Sequence, residues 1–312
     1  MVGKQVTELD ELPSFTDTSL LPVHNGAGLK KGLLSQLANY LGNKFSNPNL
    51  LINPDFRINQ RGETSYTSAV AQTIKIVYSV DRWCLYGHSL TVNSDKSVTI
   101  TPTTYSDGAL IQNLETPVDG DITVQVYAVG VSGTATVSVR PSDDSSTTEI
   151  GTLKNGLNTF TFSRGIKKLV IRVKSGTITL KYAKVEQGTV ATSFIAPNHA
   201  EELVKCKRYF QVLNVFEGFV GSVSYWNLYT KFYVGAMRTT SPTIISNVSS
   251  ATINLSGDNT ERNLQLSNNI SPTMYLNELI ITHKSATNFG YNAFTACIFR
   301  SAITYNVDAE IY

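Results

Sequence analysis

Four histidines, His24, His88, His199 and His283, are spread along the 312-residue chain, and none stands near another. There is no HExxH pair and no His/Cys grouping with metal-ligand spacing, so the four read as scattered surface or turn residues. A GxSxG nucleophile elbow is absent. Gly26-Ala27-Gly28-Leu29-Lys30-Lys31-Gly32 is glycine-rich, but its GxGxxxG spacing is not that of a dinucleotide loop, and no βαβ unit surrounds it. It reads as a hairpin turn. Two adjacent carboxylate pairs remain, Asp143-Asp144 and Glu201-Glu202. Glycoside cleavage needs two carboxyl groups set by their separation in space, one of them with a raised pKa. Asp143-Asp144 lies in a Ser/Thr-rich loop and lacks the alternating spacing of an EF-hand calcium loop, so it reads as a solvated turn. Glu201-Glu202 opens a helix, where the dipole already accounts for it. The expectation is no catalytic residue, no metal and no cofactor.

The aromatic residues offer binding chemistry instead. Tyr225-Trp226-Asn227-Leu228-Tyr229 lies between two strand candidates, with Phe232 and Tyr233 following. Exposed rings stack on the apolar faces of sugars, and nearby Asn, Ser and Thr hydrogen-bond their hydroxyls. Tyr225, Trp226 and Tyr229 are therefore the candidate glycan-binding residues. The competing reading places these rings in a β-sandwich core, with binding in Asn-rich loops near Asn247 or Asn268-Asn269. Phe56 and Trp83 are expected to be buried and structural.

The elements that must position these residues follow from composition and pattern. Ser, Thr and Asn number 30, 35 and 24, only 16% of residues are charged, and 41% are hydrophobic. Such a chain favours strands and turns over long helices. Twenty-six basic against 24 acidic residues give a net charge of +2, with no basic footprint for nucleic acid. No apolar run is long enough for a membrane helix, and Met1 to Asp10 has no secretion-signal pattern. Cys84, Cys206 and Cys297 are widely separated, which suits folding in a reducing cytoplasm without a disulfide framework.

Three parts are expected. Residues 1–48 form a small leader and linker: a hairpin from Leu20-Leu21-Pro22-Val23 and Leu29 to Leu34, then a short helix with Leu37, Tyr40 and Leu41 on one face. That stripe is too small to bury a core alone, so it is the expected oligomer or attachment face. Residues 49–197 form a β-sandwich of jelly-roll type. Its strands include Ala69–Val80, Ile122–Val129, Thr134–Arg140, Lys168–Lys174 and Thr177–Lys184, divided by turn signals such as Ser132-Gly133 and Ser175-Gly176. Residues 198–312 begin with a helix capped by Asn198, with Glu201 and Glu202 in its first turn, Lys205 and Lys207 near its end, and Leu203 and Cys206 on its apolar face. A second β-sandwich follows. The fold class is all-β, with one short helix between two sandwiches.

Leu50-Leu51-Ile52-Asn53-Pro54-Asp55-Phe56-Arg57-Ile58-Asn59-Gln60-Arg61-Gly62, with Asp81-Arg82-Trp83 further on, resembles the opening of a sandwich domain of tailed-bacteriophage virion proteins; Asn59 stands where that pattern often has Trp. Ala183 to Pro197 resembles that domain's closing strand and exit, and Glu201 to Phe210 the helix beyond it. Lys4 to Leu12 with Leu20-Leu21-Pro22-Val23 is similar to N-terminal modules of phage fibre and tail proteins, and Gly235 to Thr243 is similar to the Met-Arg turn of fibre heads. The resemblance implies a non-enzymatic virion protein, homotrimeric, made in the bacterial cytoplasm without a signal peptide. It implies attachment to another virion protein through the N-terminus and β-domains presented to a bacterial surface polysaccharide. A glycan-degrading depolymerase and a non-viral carbohydrate-binding module are the alternatives.

Overall fold

The computed structural model describes residues 20–24, 29–33, 47–70, 73–74, 76–103, 108–215, 220–224, 227–239, 242–246, 250–255, 261–275, 278–285, 295–299 and 303–310. The expected attachment stripe, Leu37, Tyr40 and Leu41, lies outside the described residues. The leader contributes β1 (Leu20–His24) and β2 (Leu29–Leu33), an antiparallel hairpin with Leu20 opposite Leu33.

The middle region holds β3 (Ser65–Thr67), β4 (Ala69–Val70), β5 (Thr73–Ile74), β6 (Val77–Tyr78), β7 (Cys84–Tyr86), β8 (His88–Val92) and β9 (Val98–Pro102). It continues with β10 (Ala109–Val118), β11 (Ile122–Arg140), β12 (Thr148–Thr152), β13 (Gly156–Phe162) and β14 (Ile166–Gln187). The single long strand expected over Ala69–Val80 is instead three two-residue strands. Ten strands form one sheet, built on the antiparallel pair β11 and β14.

Those two strands are longer than the sequence suggests. Gly133 and Gly176, read as turns, sit opposite each other in the β11–β14 ladder, at φ +90° and +70°. A Cβ on Gly176 would lie 1.6 Å from the Ser132 carbonyl oxygen, and one on Gly133 2.4 Å from that of Ser175. Glycine thus serves here to bend two paired strands without ending either of them. Val124, Val126, Ile178 and Leu180 on one side of the bend share a core with Val137, Val139, Leu169 and Ile171 on the other.

The segments from Asn53 to Ile58 and from Asp81 to Trp83 form a buried framework. Asn53, fully buried at φ 54°, donates through Nδ2 to the carbonyls of Ile58 (2.8 Å) and Asp81 (2.9 Å) and accepts from the Ile58 N–H (3.0 Å). Trp83 Nε1 donates to the Asn53 carbonyl at 2.8 Å, and the Trp83 ring packs 5.1 Å from Phe56. Both rings are fully buried, as expected. At the domain's other end, buried Lys184 pairs with Glu186 at 3.1 Å, and its ammonium donates to Thr192 Oγ1 (2.6 Å) and the Thr192 carbonyl (3.1 Å). This buried pair pins the exit segment to the sheet.

Helix α1 (His199–Lys207) follows the expected pattern. Asn198 Oδ1 accepts from the N–H groups of Ala200 (2.9 Å) and Glu201 (3.3 Å), with acidic residues in the first turn and basic ones in the last. Cys206 packs with Ile52, Ile58 and Tyr209, with Leu203 against them. Glu202 is buried, and its Oε1 accepts from the Asn53 N–H at 2.6 Å.

Beyond it run β15 (Phe210–Val215), β16 (Val220–Ser224), β17 (Asn227–Tyr233), β18 (Thr243–Ser246) and β19 (Ser250–Leu255). Then come β20 (Glu261–Tyr275), β21 (Glu278–Ser285), β22 (Thr295–Phe299) and β23 (Ile303–Asp308). The all-β expectation holds. In this region six strands close into a barrel in the order β16-β17-β21-β20-β19-β22, beside a three-stranded sheet β15-β23-β18. Val223, Leu228, Phe232, Leu279 and Ile281 from the barrel share a core with Ile303, Tyr305 and Val307 from the sheet. Among the described residues no helix is long and apolar enough to cross a membrane.

Candidate functional site: an aromatic face on the barrel

Strand β17 alternates. Leu228, Thr230 and Phe232 point into the barrel, and Phe232 meets Tyr305 edge-on at 5.9 Å. Period-two geometry sends Asn227, Tyr229, Lys231 and Tyr233 outward. Tyr229 is half-buried, and Tyr233 is 80% exposed. Along an extended strand these two rings stand about 13 Å apart.

The neighbouring strands extend this face of the barrel. Tyr229 lies opposite Ser222 on β16 and Thr282 on β21, Lys231 opposite Ile280, and Tyr233 opposite Glu278. Thr273 of β20 follows beside Ile280 and is exposed. Asn227 Nδ2 donates to the Tyr229 hydroxyl at 3.1 Å, which orients that ring. Lys231 Nζ lies 2.7 Å from Glu278 Oε2 and 5.5 Å from the centre of the Tyr233 ring. The hydrogen bond to Glu278 raises the Lys231 pKa, so the amine stays charged. The face therefore combines two ring surfaces with hydroxyl, amide and paired ionic groups.

Of the expected glycan-binding residues, Tyr229 is on this face, while Tyr225 and Trp226 lie outside the described residues. Tyr233 follows from the same alternation, since residues two and four after Tyr229 must share its side of the sheet. Asn247 is outside the described residues, and Asn268-Asn269 lie within β20 rather than in a loop.

A second aromatic group was not singled out in the sequence. Tyr127 and Tyr182 are cross-strand partners with ring centres 5.4 Å apart, and Phe194 from the exit segment stacks on Tyr182 at 4.0 Å. Both tyrosines occupy outward positions of alternating strands, which was the available signal. Their pairing depends on β11–β14 register, to which sequence spacing is blind.

Asp143, Asp144 and Glu202 are tied up in structure. Asp143 pairs with Arg164 at 2.7 Å, and hydrogen bonds from Ser145 and Arg164 hold its carboxyl at about 2. Asp144 is bracketed by Arg140 (2.6 Å) and Lys167 (3.0 Å), with its pKa lowered chiefly by the Lys167 hydrogen bond. Both shifts run opposite to what a general acid needs. Two of the histidines read as surface or turn residues, His88 and His283, are fully buried. Burial lowers both pKa values, that of His283 to about 4. Cys84, Cys206 and Cys297 are buried free thiols, and burial pushes Cys84 up to about 12. Among the described residues no group of three His, Cys, Asp or Glu is placed to hold a metal ion.

No family model and no curated protein matches the chain. Solved structures of family 29 carbohydrate-binding modules are similar to part of it. One such module shares 16% identity over 38% of this chain and 88% of its own, with a TM-score of 0.29. A variant complexed with mannohexaose shares 14% over 49% of this chain and all of its own, with a TM-score of 0.30. A variant complexed with cellulohexaose shares 15% over 48% and 100%, with a TM-score of 0.29.

Proposed function

We propose that this protein is a structural fibre component of a tailed bacteriophage that recognises a glycan on the bacterial surface. The leader tethers it to another virion protein, and the barrel face carrying Tyr229 and Tyr233 meets the sugar. The observation that carries the glycan reading is the outward ladder of β17: a ring left 80% exposed on the same face of the barrel as a second ring, among hydrogen-bonding groups. Exposed aromatic faces of this kind suit the apolar faces of pyranose rings. The virion reading rests on the motif set from Leu50 to Trp83 and from Ala183 to Phe210.

Binding without cleavage is the reading the carboxylates favour, because Asp143, Asp144 and Glu202 are all committed to ion pairs or backbone contacts. Tyr233→Ala tests the site. Its exposure predicts an unchanged melting temperature and weaker binding to host cells or purified surface polysaccharide. Full binding by folded Tyr233→Ala and Tyr229→Ala variants would remove this face from the reading. Finding the protein in purified particles decides between virion component and cellular module, and release of reducing sugar from host capsule would reveal a depolymerase.

A further inference from the structure

Strands β10 and β14 part company along their ladder. Asn113 lies opposite Lys168, but Val118 lies opposite Ile166, so five steps along β10 match two along β14. The excursion borders a cleft of about 330 Å³, lined also by Arg140, Asp144, Lys167 and Arg238. Arg238 is brought in by its backbone N–H, which donates to the Arg208 carbonyl at 2.8 Å. The cleft therefore joins the middle sheet to the segment that follows β17.

Its charges do not cancel. Both Asp144 oxygens are occupied, by Arg140 Nε at 2.6 Å and Lys167 Nζ at 3.0 Å. Glu115 Oε1 is taken by Arg208 at 2.6 Å and by the Tyr209 hydroxyl. Lys168 and Arg238 add two cations, and neither has a carboxylate within ion-pair distance among the described residues. Counting Arg208, five cations surround two carboxylates. Lys168 is half-buried, and its pKa is lowered first by burial and further by Arg140 and Lys167. A bound anion would relieve that penalty.

We propose that this cleft binds an acidic sugar, one ring carrying a carboxylate or phosphate group, with Lys168 and Arg238 holding the anion. The volume lies at the small end of ligand sites, which run from about 300 Å³, and so suits a single sugar unit. Arginine's planar fork matches a carboxylate or phosphate, and lysine supplies a point charge. The sugar as carrier rests on the glycan reading above; the need for an anion rests on the cleft's charge alone.

Calorimetric titration of the full chain with trigalacturonate, glucose 6-phosphate, inorganic phosphate and maltotriose tests this. Trigalacturonate or glucose 6-phosphate should bind, more weakly as salt is raised. Lys168→Gln and Arg238→Gln should each weaken that binding roughly tenfold. Lys174→Gln, which removes an exposed cation paired with Glu149, should not. Melting curves check folding, and Arg238→Gln, at an exposed position, decides alone if Lys168→Gln does not fold. The proposal is overturned if neither acidic sugar binds, if binding is unchanged in the folded variants, or if inorganic phosphate binds as tightly as the sugars. Maltotriose binding reports on the barrel face and is scored separately, so either site can fail without the other.

Discussion

Trp83 shows how one residue ties a motif to a fold. Its indole N–H holds the Asn53 carbonyl while its ring fills the space beside Phe56. Trp83→Ala removes both contacts and should cost about 3–5 kcal/mol, measured by chemical denaturation. Burial of this residue was legible in the sequence from its place in an Asp-Arg-Trp turn next to a strand. The role of His283 was not. Its ring is fully buried, with Nε2 2.7 Å from the Tyr305 hydroxyl. With a folded pKa of about 4 against about 6.5 unfolded, the unfolded chain takes up a proton first as pH falls. His283 therefore lowers stability as pH drops from about 6.5 toward about 4, by on the order of 3 kcal/mol in full. Buried Asp81 and Glu310, whose pKa values burial raises, pull the other way. The measurement is thus the difference between wild type and His283→Gln, whose gap should narrow from pH 7.5 to pH 5. A gap independent of pH would show that the histidine does not titrate between the two states.

At the scale of elements, the Gly133–Gly176 bend carries the middle domain. Each glycine is at a positive φ and faces the other strand's backbone, so neither a side chain nor a simple rotation is accommodated. Gly176→Ala should destabilise by more than about 2 kcal/mol, because left-handed strain adds to a backbone clash. Gly120→Ala shares the positive φ but meets nothing within 4 Å, so its smaller loss of melting temperature isolates the clash. Equal losses would leave strain as the whole effect. The strands on either side were readable from their alternation. Their continuity was not, because a glycine with positive φ looks the same in a sequence whether it ends a strand or bends it.

At the scale of the whole molecule, the early part of the middle region meets the segment that closes β23 through buried charge. Arg82 Nη1 lies 2.6 Å from Glu310 Oε2, and the Arg82 guanidinium sits 3.6 Å from the Tyr209 ring centre. Arg61 lies 3.9 Å from the Phe210 ring centre and 3.4 Å from Asp308. The leader hairpin pairs with no other strand among the described residues. Self-association of the leader is what the proposed fibre role expects. Light scattering of the full chain should give a trimer, and deletion of residues 1–45 should give a folded monomer excluded from particles. A full-length monomer at micromolar concentration would rule out self-assembly. In a trimer, three weak glycan faces reinforce one another through effective concentration, so low affinity per chain is compatible with firm attachment.

By itself the sequence determined the all-β class, the capped helix at Asn198 and the shared buried faces of Ile122, Val124 and Val126 and of Leu169, Ile171 and Val173. These are local properties, written in side-chain period, cap chemistry and charge order within a few residues. Tertiary structure alone decided the rest. It paired Arg82 with Glu310, set Tyr127 against Tyr182, closed six C-terminal strands into a barrel and gathered Lys168 and Arg238 beside one cleft. Those contacts join residues from distant parts of the chain. Which strands meet, and in what register, is settled by the burial of the whole apolar surface at once, and no short stretch of sequence carries that sum.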